Sequence, residues 1–397
     1  MNISLPSSVK YILNALEEKG YRADIVGGSV RDAFLGREIG DYDITTDALP
    51  EEVERVFSGH RIIETGLKHG TVSLLLDGVT YEITTYRRDG EYIDNRHPSG
   101  VSFVKDISED LCRRDFTVNA MSYSDTNGLT DLFGGKADLE RKIIRAVGNP
   151  QDRFEEDALR ILRALRFAST LSFEIDKDTA RAAREKKELL KNVSAERIFV
   201  ELTKLISGVG AYEVLREYED IILTVLPLVD KINLPEKEKF LGVDGKVRLI
   251  ILYALQADRQ SERFSRAMSA LKTDRKRRVD GEKALCALAD IVELDLAGAA
   301  HLLNKYGEEP SEIAVKAAIA LERISEGSLA ALESVRNGAL PYKICQLKIG
   351  GEDIKALGFK DGEIGRALDF ALLSVMEGEC ENDREALILN VTKGFAL

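Results

Sequence analysis

The strongest constraint in this sequence is a change of pattern near residue 150. Before it, β-branched and aromatic runs alternate with glycine: ADIVGG, YDITTD, RIIETG, GTVSLLL, GVTYEITTYR and GVSFV. Short runs of this kind bounded by turn residues are strand signals. One helix precedes them, since Val9, Ile12, Leu13 and Leu16 fall on one helical face, with Ser7 or Ser8 as cap and Gly20 as stop. After Asn149-Pro150 the strand signals nearly vanish, and residues 152–168, 178–191 and 195–206 show helical spacing. A chain of 397 residues needs more than one core. The expected class is therefore α+β: an N-terminal mixed-sheet domain, then a helical remainder. Polar breaks at KINLPEKEKFLGVDGK (231–246) and YGEEPS (306–311) suggest joints within the helical part.

Composition narrows the function classes. No apolar run approaches the roughly 20 residues of a membrane span. The start, MNISLPSSVKYILNALEEKG, lacks a basic region and a cleavage site, so export is not expected. Cys112, Cys286, Cys345 and Cys380 are scattered and read as thiols of a reducing cytoplasm. The four histidines show no metal-binding spacing, which argues against a zinc hydrolase. The net charge of −12 disfavours nucleic acid on average. Basic residues are nevertheless concentrated at Arg113-Arg114, at Arg160, Arg163 and Arg166, across 181–191, and in RKRR at 275–278. A basic groove on an acidic protein stays possible.

Two constellations carry chemistry. In DIVGGSVRDAFLG (24–36) an apolar strand runs into Gly27-Gly28-Ser29 and a short helix. Glycines there let backbone N–H groups approach an anion; a plain tight turn is the alternative. GDYDITTDA (40–48) follows, with Asp41 and Asp43 one residue apart. On a strand such residues share a face, and two carboxylates held together repel unless a cation joins them. Mg²⁺ is suited to one or two carboxylates plus substrate phosphates, while two solvated turn residues are the alternative. Glu82, in TYEITTYR, lies either on an exposed face or with these acids.

Gly-Gly-Ser, the Asp-x-Asp pair and a later strand acid resemble the nucleotidyltransferase superfamily that includes DNA polymerase β. Further segments narrow the match. LCRRDFTVNAM (111–121) resembles the RRDFTxNA signature of tRNA nucleotidyltransferases and bacterial poly(A) polymerases, and DLFGGKADLERKIIRAVG (131–148) resembles their connecting motif. RFEEDALRILRALRF (153–167) resembles their EDxxR nucleotide-reading helix, and SAERIFVEL (194–202) their ER-containing helix. The five motifs stand in family order over residues 24–202, and the type they resemble is class II. In the helix from Arg153, Asp157, Arg160, Arg163 and Arg166 recur at every third position, each step lagging a full turn by about 60°. Asp157 and Arg160 would then share a face. An acceptor beside a donor can read a base edge; an internal ion pair is the alternative.

The resemblance implies a template-independent enzyme adding CCA, or its terminal A, to the tRNA 3′ end from CTP and ATP. It implies Mg²⁺ held by Asp41 and Asp43 with Glu82 assisting. Nucleotide contacts would come from Gly28, Arg31, Arg114, Asp157, Arg160, Arg163 and Arg166, with Arg113 either a contributor or a solvated rim charge. A nucleotidyltransferase head (1–148), a helical neck (149–208), a body (209–305) and a tRNA-binding tail (306–397) are expected, in the cytoplasm, without membrane or obligate protein partner. The polar segment 87–100 occupies the place of the family's flexible loop, at a length that favours adding A over stopping at CC. RKRR is a candidate for tRNA phosphates, or a solvated cluster. A poly(A) polymerase and a non-catalytic RNA-binding protein are the rivals.

Overall fold

The computed structural model describes residues 3–63, 70–90 and 100–394. Most of the segment 87–100 lies outside the described residues. The chain divides into two compact units, Met1–Val225 and Leu226–Leu397.

The first unit opens with α1 (Ser7–Glu17), whose apolar stripe Val9, Ile12, Leu13 and Leu16 is buried. Pro6, not a serine hydroxyl, precedes its first turn, so Ser7 and Ser8 are helical rather than caps. Then follow β1 (Ala23–Val26), α2 (Gly28–Phe34), β2 (Asp43–Thr46), α3 (Pro50–Val56), β3 (Arg61–Ile63), β4 (Thr71–Leu76) and β5 (Val79–Thr85). A small hairpin, β6 (Arg87–Asp89) with β7 (Val101–Phe103), leads to α4 (Ile107–Cys112), a 3₁₀ turn (Thr117–Asn119), β8 (Met121–Ser124), β9 (Gly128–Asp131) and α5 (Gly135–Arg141). The large sheet has the order β3-β4-β5-β2-β1-β8-β9. Only the central β2–β5 pair is parallel; its other pairs are antiparallel.

Alternation gives this sheet two unlike faces. Ile25, Ile44, Val72, Leu74, Tyr81, Ile83 and Tyr123 form one, all buried. The Ser8 hydroxyl meets the Tyr81 hydroxyl at 2.7 Å, which places α1 on that side. The other face carries Asp43, Thr45, Glu82 and Thr84 in register. Val26 of β1, Tyr86 just past β5, and Ile107 and Leu111 of α4 form a separate buried cluster.

β10 (Ile143–Ile144) pairs with β11 (Glu174–Ile175), a small strand past the point where strand signals fade. Between them lie α6 (Pro150–Glu156) and α7 (Leu159–Leu171), followed by α8 (Lys177–Lys186), α9 (Ala195–Ser207), α10 (Ala211–Glu217) and α11 (Glu219–Val225). The one helix expected from Arg153 is thus two, broken at Asp157, whose backbone is extended (φ −139, ψ 103). Its carboxylate accepts from Leu159 N–H at 3.1 Å, the local bond by which Asp starts a helix afresh.

The second unit is helical among the described residues, from Lys237–Leu241 to Arg384–Gly394. Its core includes Tyr253 edge-on to Phe264 at 5.2 Å between centroids. Gly281 is required there, because a Cβ would lie 2.2 Å from Phe264 Cε1. RKRR opens the helix Arg275–Asp290, capped by Asp274, which accepts from Arg277 N–H at 2.8 Å. Lys276 is committed to Asp280 at 2.6 Å and to Glu309. No helix among the described residues is long and apolar enough to cross a membrane. The four cysteines are free thiols.

Candidate active site

β1 ends in a turn at Gly27, which has φ +73 and donates its N–H to the Met121 carbonyl at 3.0 Å. That left-handed conformation favours glycine. Space demands it as well, since a Cβ would stand 2.9 Å from Nη1 of Arg114. The Arg114 guanidinium therefore lies against the Gly27-Gly28 turn. A Cβ on Gly28 would meet Arg31 Nη2 at an ordinary 3.7 Å.

Asp110 on α4 holds Arg114 in place. Its fully buried carboxylate accepts from Arg114 Nη2 at 3.1 Å, and from Arg113 Nε and Nη2 at 3.0 and 2.7 Å. Burial works against this carboxylate, but Arg114 and Arg113 hold it below the ordinary value. Arg113 is thus an ion-paired residue, not a solvated rim charge. Arg114 Nε is buried without a hydrogen-bond partner among the described residues. Arg31 grips Asp32 at 2.9 and 2.8 Å, donates to Asn119 Oδ1 at 2.7 Å and lies 5.1 Å from the Phe167 ring. Phe167 also lies 3.6 Å below Arg166 and 5.5 Å from Arg163.

The acids are arranged differently. Asp43 is the first residue of β2 and is registered with Glu82 on the parallel neighbour β5. Both are open to solvent, and Tyr81 and Ile83 are buried, so Glu82 belongs to the face of Asp43. Asp41 precedes the strand, in irregular backbone, so strand alternation does not align it with Asp43. Crowding by protein pushes the Asp43 carboxyl up; Arg114 opposes this, while Glu82 and Asp41 add to it. Among the described residues, no three His, Cys, Asp or Glu side chains are gathered into a ready metal site. The Asp43–Glu82 pair still fits a hard divalent cation that takes one or two carboxylates and completes its shell with phosphates.

On the helical side, Arg160 does not pair with Asp157. It donates to Arg153 O at 3.2 Å and Arg113 O at 3.0 Å, and it pairs with Glu156. Asp157 pairs instead with Arg197 of α9 at 2.8 Å. Arg163 Nη2 meets Asp115 at 2.6 Å, and Asp115 also accepts from Asn119 Nδ2 at 3.2 Å. Burial opposes the Asp115 charge, yet Arg163 and Asn119 keep its carboxyl below the ordinary value. Arg166 meets Glu201 of α9 at 2.6 Å. Burial lowers the Arg166 pKa despite that carboxylate.

The structure thus gathers Gly28, Arg31 and Arg114 at the turn, sets Asp43 beside Glu82, and aligns Arg160, Arg163 and Arg166 along α7. Sequence reading missed Asp110, Glu201 and Arg197. Asp110 stands three and four residues before the two arginines it holds, a helical spacing that could have revealed it. Arg197 and Glu201 lie within the ER-containing segment, but nothing in its spacing names their partners.

Comparison with known proteins identifies the family. The Poly A polymerase head domain matches residues 23–145, and the probable RNA and SrmB-binding site of polymerase A matches residues 172–227. A CCA-adding enzyme of Bacillus pumilus is 36% identical over 389 residues, covering 95% of this chain and 94% of the relative. One from Levilactobacillus brevis is 36% identical over 397 residues, covering 96% of each. The crystal structure of the Bacillus stearothermophilus CCA-adding enzyme in complex with CTP superimposes with a TM-score of 0.76 at 31% identity, covering 97% of this chain and 96% of that one. With its mixed-sheet head, its helical remainder and near-complete coverage by such relatives, the chain belongs to the family of CCA-adding enzymes, the nucleotidyltransferases of tRNA 3′ ends.

Proposed function

We propose that this enzyme adds C, C and A to the tRNA 3′ end from CTP and ATP, without a nucleic-acid template and with release of pyrophosphate. One observation carries the reading. Arg160 is anchored on the Arg113 carbonyl, and the next residue, Arg114, lies over the Gly27 turn. A base-reading arginine and a phosphate-binding arginine are thereby one residue apart in their supports. A single nucleotide can engage both.

In this reading Arg31 and Arg114 hold the triphosphate against the Gly27-Gly28 turn. Arg163 and Arg166 support the site from α7. Asp157 accepts and Arg160 donates. Cytosine and adenine both carry an amino donor where uracil and guanine carry a carbonyl, so an acceptor carboxylate separates the two pairs. Asp41 and Asp43, assisted by Glu82, would hold Mg²⁺. A metal held there would supply a lowered pKa for the primer hydroxyl and neutralisation of phosphate charge. Phosphoryl transfer needs positioning and charge neutralisation, so no covalent protein nucleophile is expected. Residues 1–148 would serve as head, 149–208 as neck, 209–305 as body and 306–397 as tRNA-binding tail, working in the cytoplasm.

The test uses tRNA transcripts ending before, within and after CC, with CTP, ATP or both, and sizes the products. Transcripts lacking CC should gain CCA and then stop. Extension only of RNA already ending in CC would make this a terminal-A enzyme. Long A tails on unrelated RNA would make it a poly(A) polymerase.

A further inference from the structure

Asp157 lies with Ala158 in the break between α6 and α7, where an unbonded carboxylate would be free to change rotamer. Two bonds stop it. Leu159 N–H takes Oδ1 at 3.1 Å, and Arg197 Nη2 takes Oδ2 at 2.8 Å from forty residues along the chain. Arg197 itself stands on a firm base. α9 is fixed to α7 by Arg166 with Glu201 at 2.6 Å and by the Ser169 hydroxyl on the Leu205 carbonyl at 2.6 Å. Its other terminal nitrogen, Nη1, is buried with no hydrogen-bond partner. A buried unpaired donor is unfavourable and rare, which is poorly explained if the residue serves packing alone.

We propose that Arg197 is a specificity-determining positioning residue: it fixes the direction of the Asp157 carboxylate and so sets which base edge the site accepts. The proposal rests on the reading of Asp157 and Arg160 as the base-reading pair. Asp157 keeps acceptor capacity on both oxygens after its two internal bonds, because each carboxylate oxygen takes two. Held still, it meets the amino group of cytosine or adenine and repels the carbonyl of uracil or guanine. Released, it can turn away, and Arg160 is left to donate to a carbonyl. Loss of Arg197 should therefore admit the wrong bases more than it weakens the right ones.

The experiment measures single-turnover incorporation of each of the four nucleoside triphosphates into tRNA transcripts lacking CCA. The full-length proteins compared are wild type, Arg197→Met, Arg197→Lys, Asp157→Ala and the Met/Ala double variant. Arg197→Met should reduce the preference for CTP over UTP by roughly 10- to 100-fold, as expected for a misplaced hydrogen-bonding group. The KM for CTP should stay within about threefold, because the triphosphate contacts remain. Arg197→Lys should restore part of the preference, and the double variant should be no less selective than Asp157→Ala. Wild-type selectivity in Arg197→Met, alongside lost selectivity in Asp157→Ala, overturns the role of Arg197 and spares the base-reading pair. Wild-type selectivity in Asp157→Ala overturns that pair, and this proposal with it. Circular dichroism checks folding; where the Met variant is unfolded, Arg197→Gln takes its place with the same outcomes.

Discussion

The two halves of the site are built to opposite specifications. Around α7 every charge has its partner before any nucleotide arrives: Asp157 with Arg197, Arg160 with Glu156, Arg163 with Asp115, Arg166 with Glu201. On the open face of the sheet, Asp43 and Glu82 stand in register with no ion pair among the described residues. In the proposed function the contrast follows from what each half would do. Telling one base from another requires donors and acceptors fixed in advance, because a movable group adapts to the wrong edge. A pair of hard-cation ligands needs no such fixing, since their mutual repulsion is what an arriving cation relieves.

The largest effect should come from the unpaired half. Asp43→Ala should slow incorporation of both C and A by roughly a thousandfold or more, as losing several kcal/mol of metal-assisted stabilisation implies. tRNA affinity, measured by filter binding, should hold, since it comes from distributed basic contacts. Near-normal turnover would end the assignment of these acids to chemistry. A smaller effect is expected in the prepaired half. Asp157→Ala or Arg160→Ala should relax the preference for CTP and ATP over UTP and GTP by about 1–3 kcal/mol each. Unchanged selectivity in both would remove the protein template.

Asp110 sharpens the comparison through pH. Its carboxyl is held below the ordinary value in the folded protein, so the unfolded chain binds the proton first as pH falls. The stabilisation is complete above the unfolded value, near about pH 4, and is lost as pH drops through the folded one. Asp110→Asn should therefore be less stable at neutral pH and show a shallower loss of thermal midpoint from pH 6 down toward about pH 3. Parallel curves for variant and wild type would show that Asp110 does not carry the charge that holds Arg114.

The smallest effect belongs to the second unit. Lys276 is already tied to Asp280 and Glu309. Lys276→Ala should leave the salt dependence of tRNA binding unchanged, whereas Arg275→Ala should lower its slope by about one if that residue meets a phosphate. A lowered slope for Lys276→Ala would mean its internal pairs give way to RNA.

The sequence alone determined what local pattern can determine. Alternating β-branched runs before residue 150 and helical spacing after it fixed the α+β class, because strand and helix periods are properties of neighbouring residues. The motifs supplied the candidate residues of the site. Tertiary structure alone decided which charges meet. The three-residue step put Asp157 and Arg160 on one face of a single helix, but Asp157 ends one helix and starts the next, and the two side chains take different partners. Asp157 finds Arg197 forty residues on, a pairing set by how α9 packs on α7. Likewise Glu82 could have faced either way until the parallel register of β5 against β2 placed it beside Asp43. Period and propensity act over a few residues, whereas the partner of a charge is chosen by whatever the packed chain brings within three ångströms or so of it.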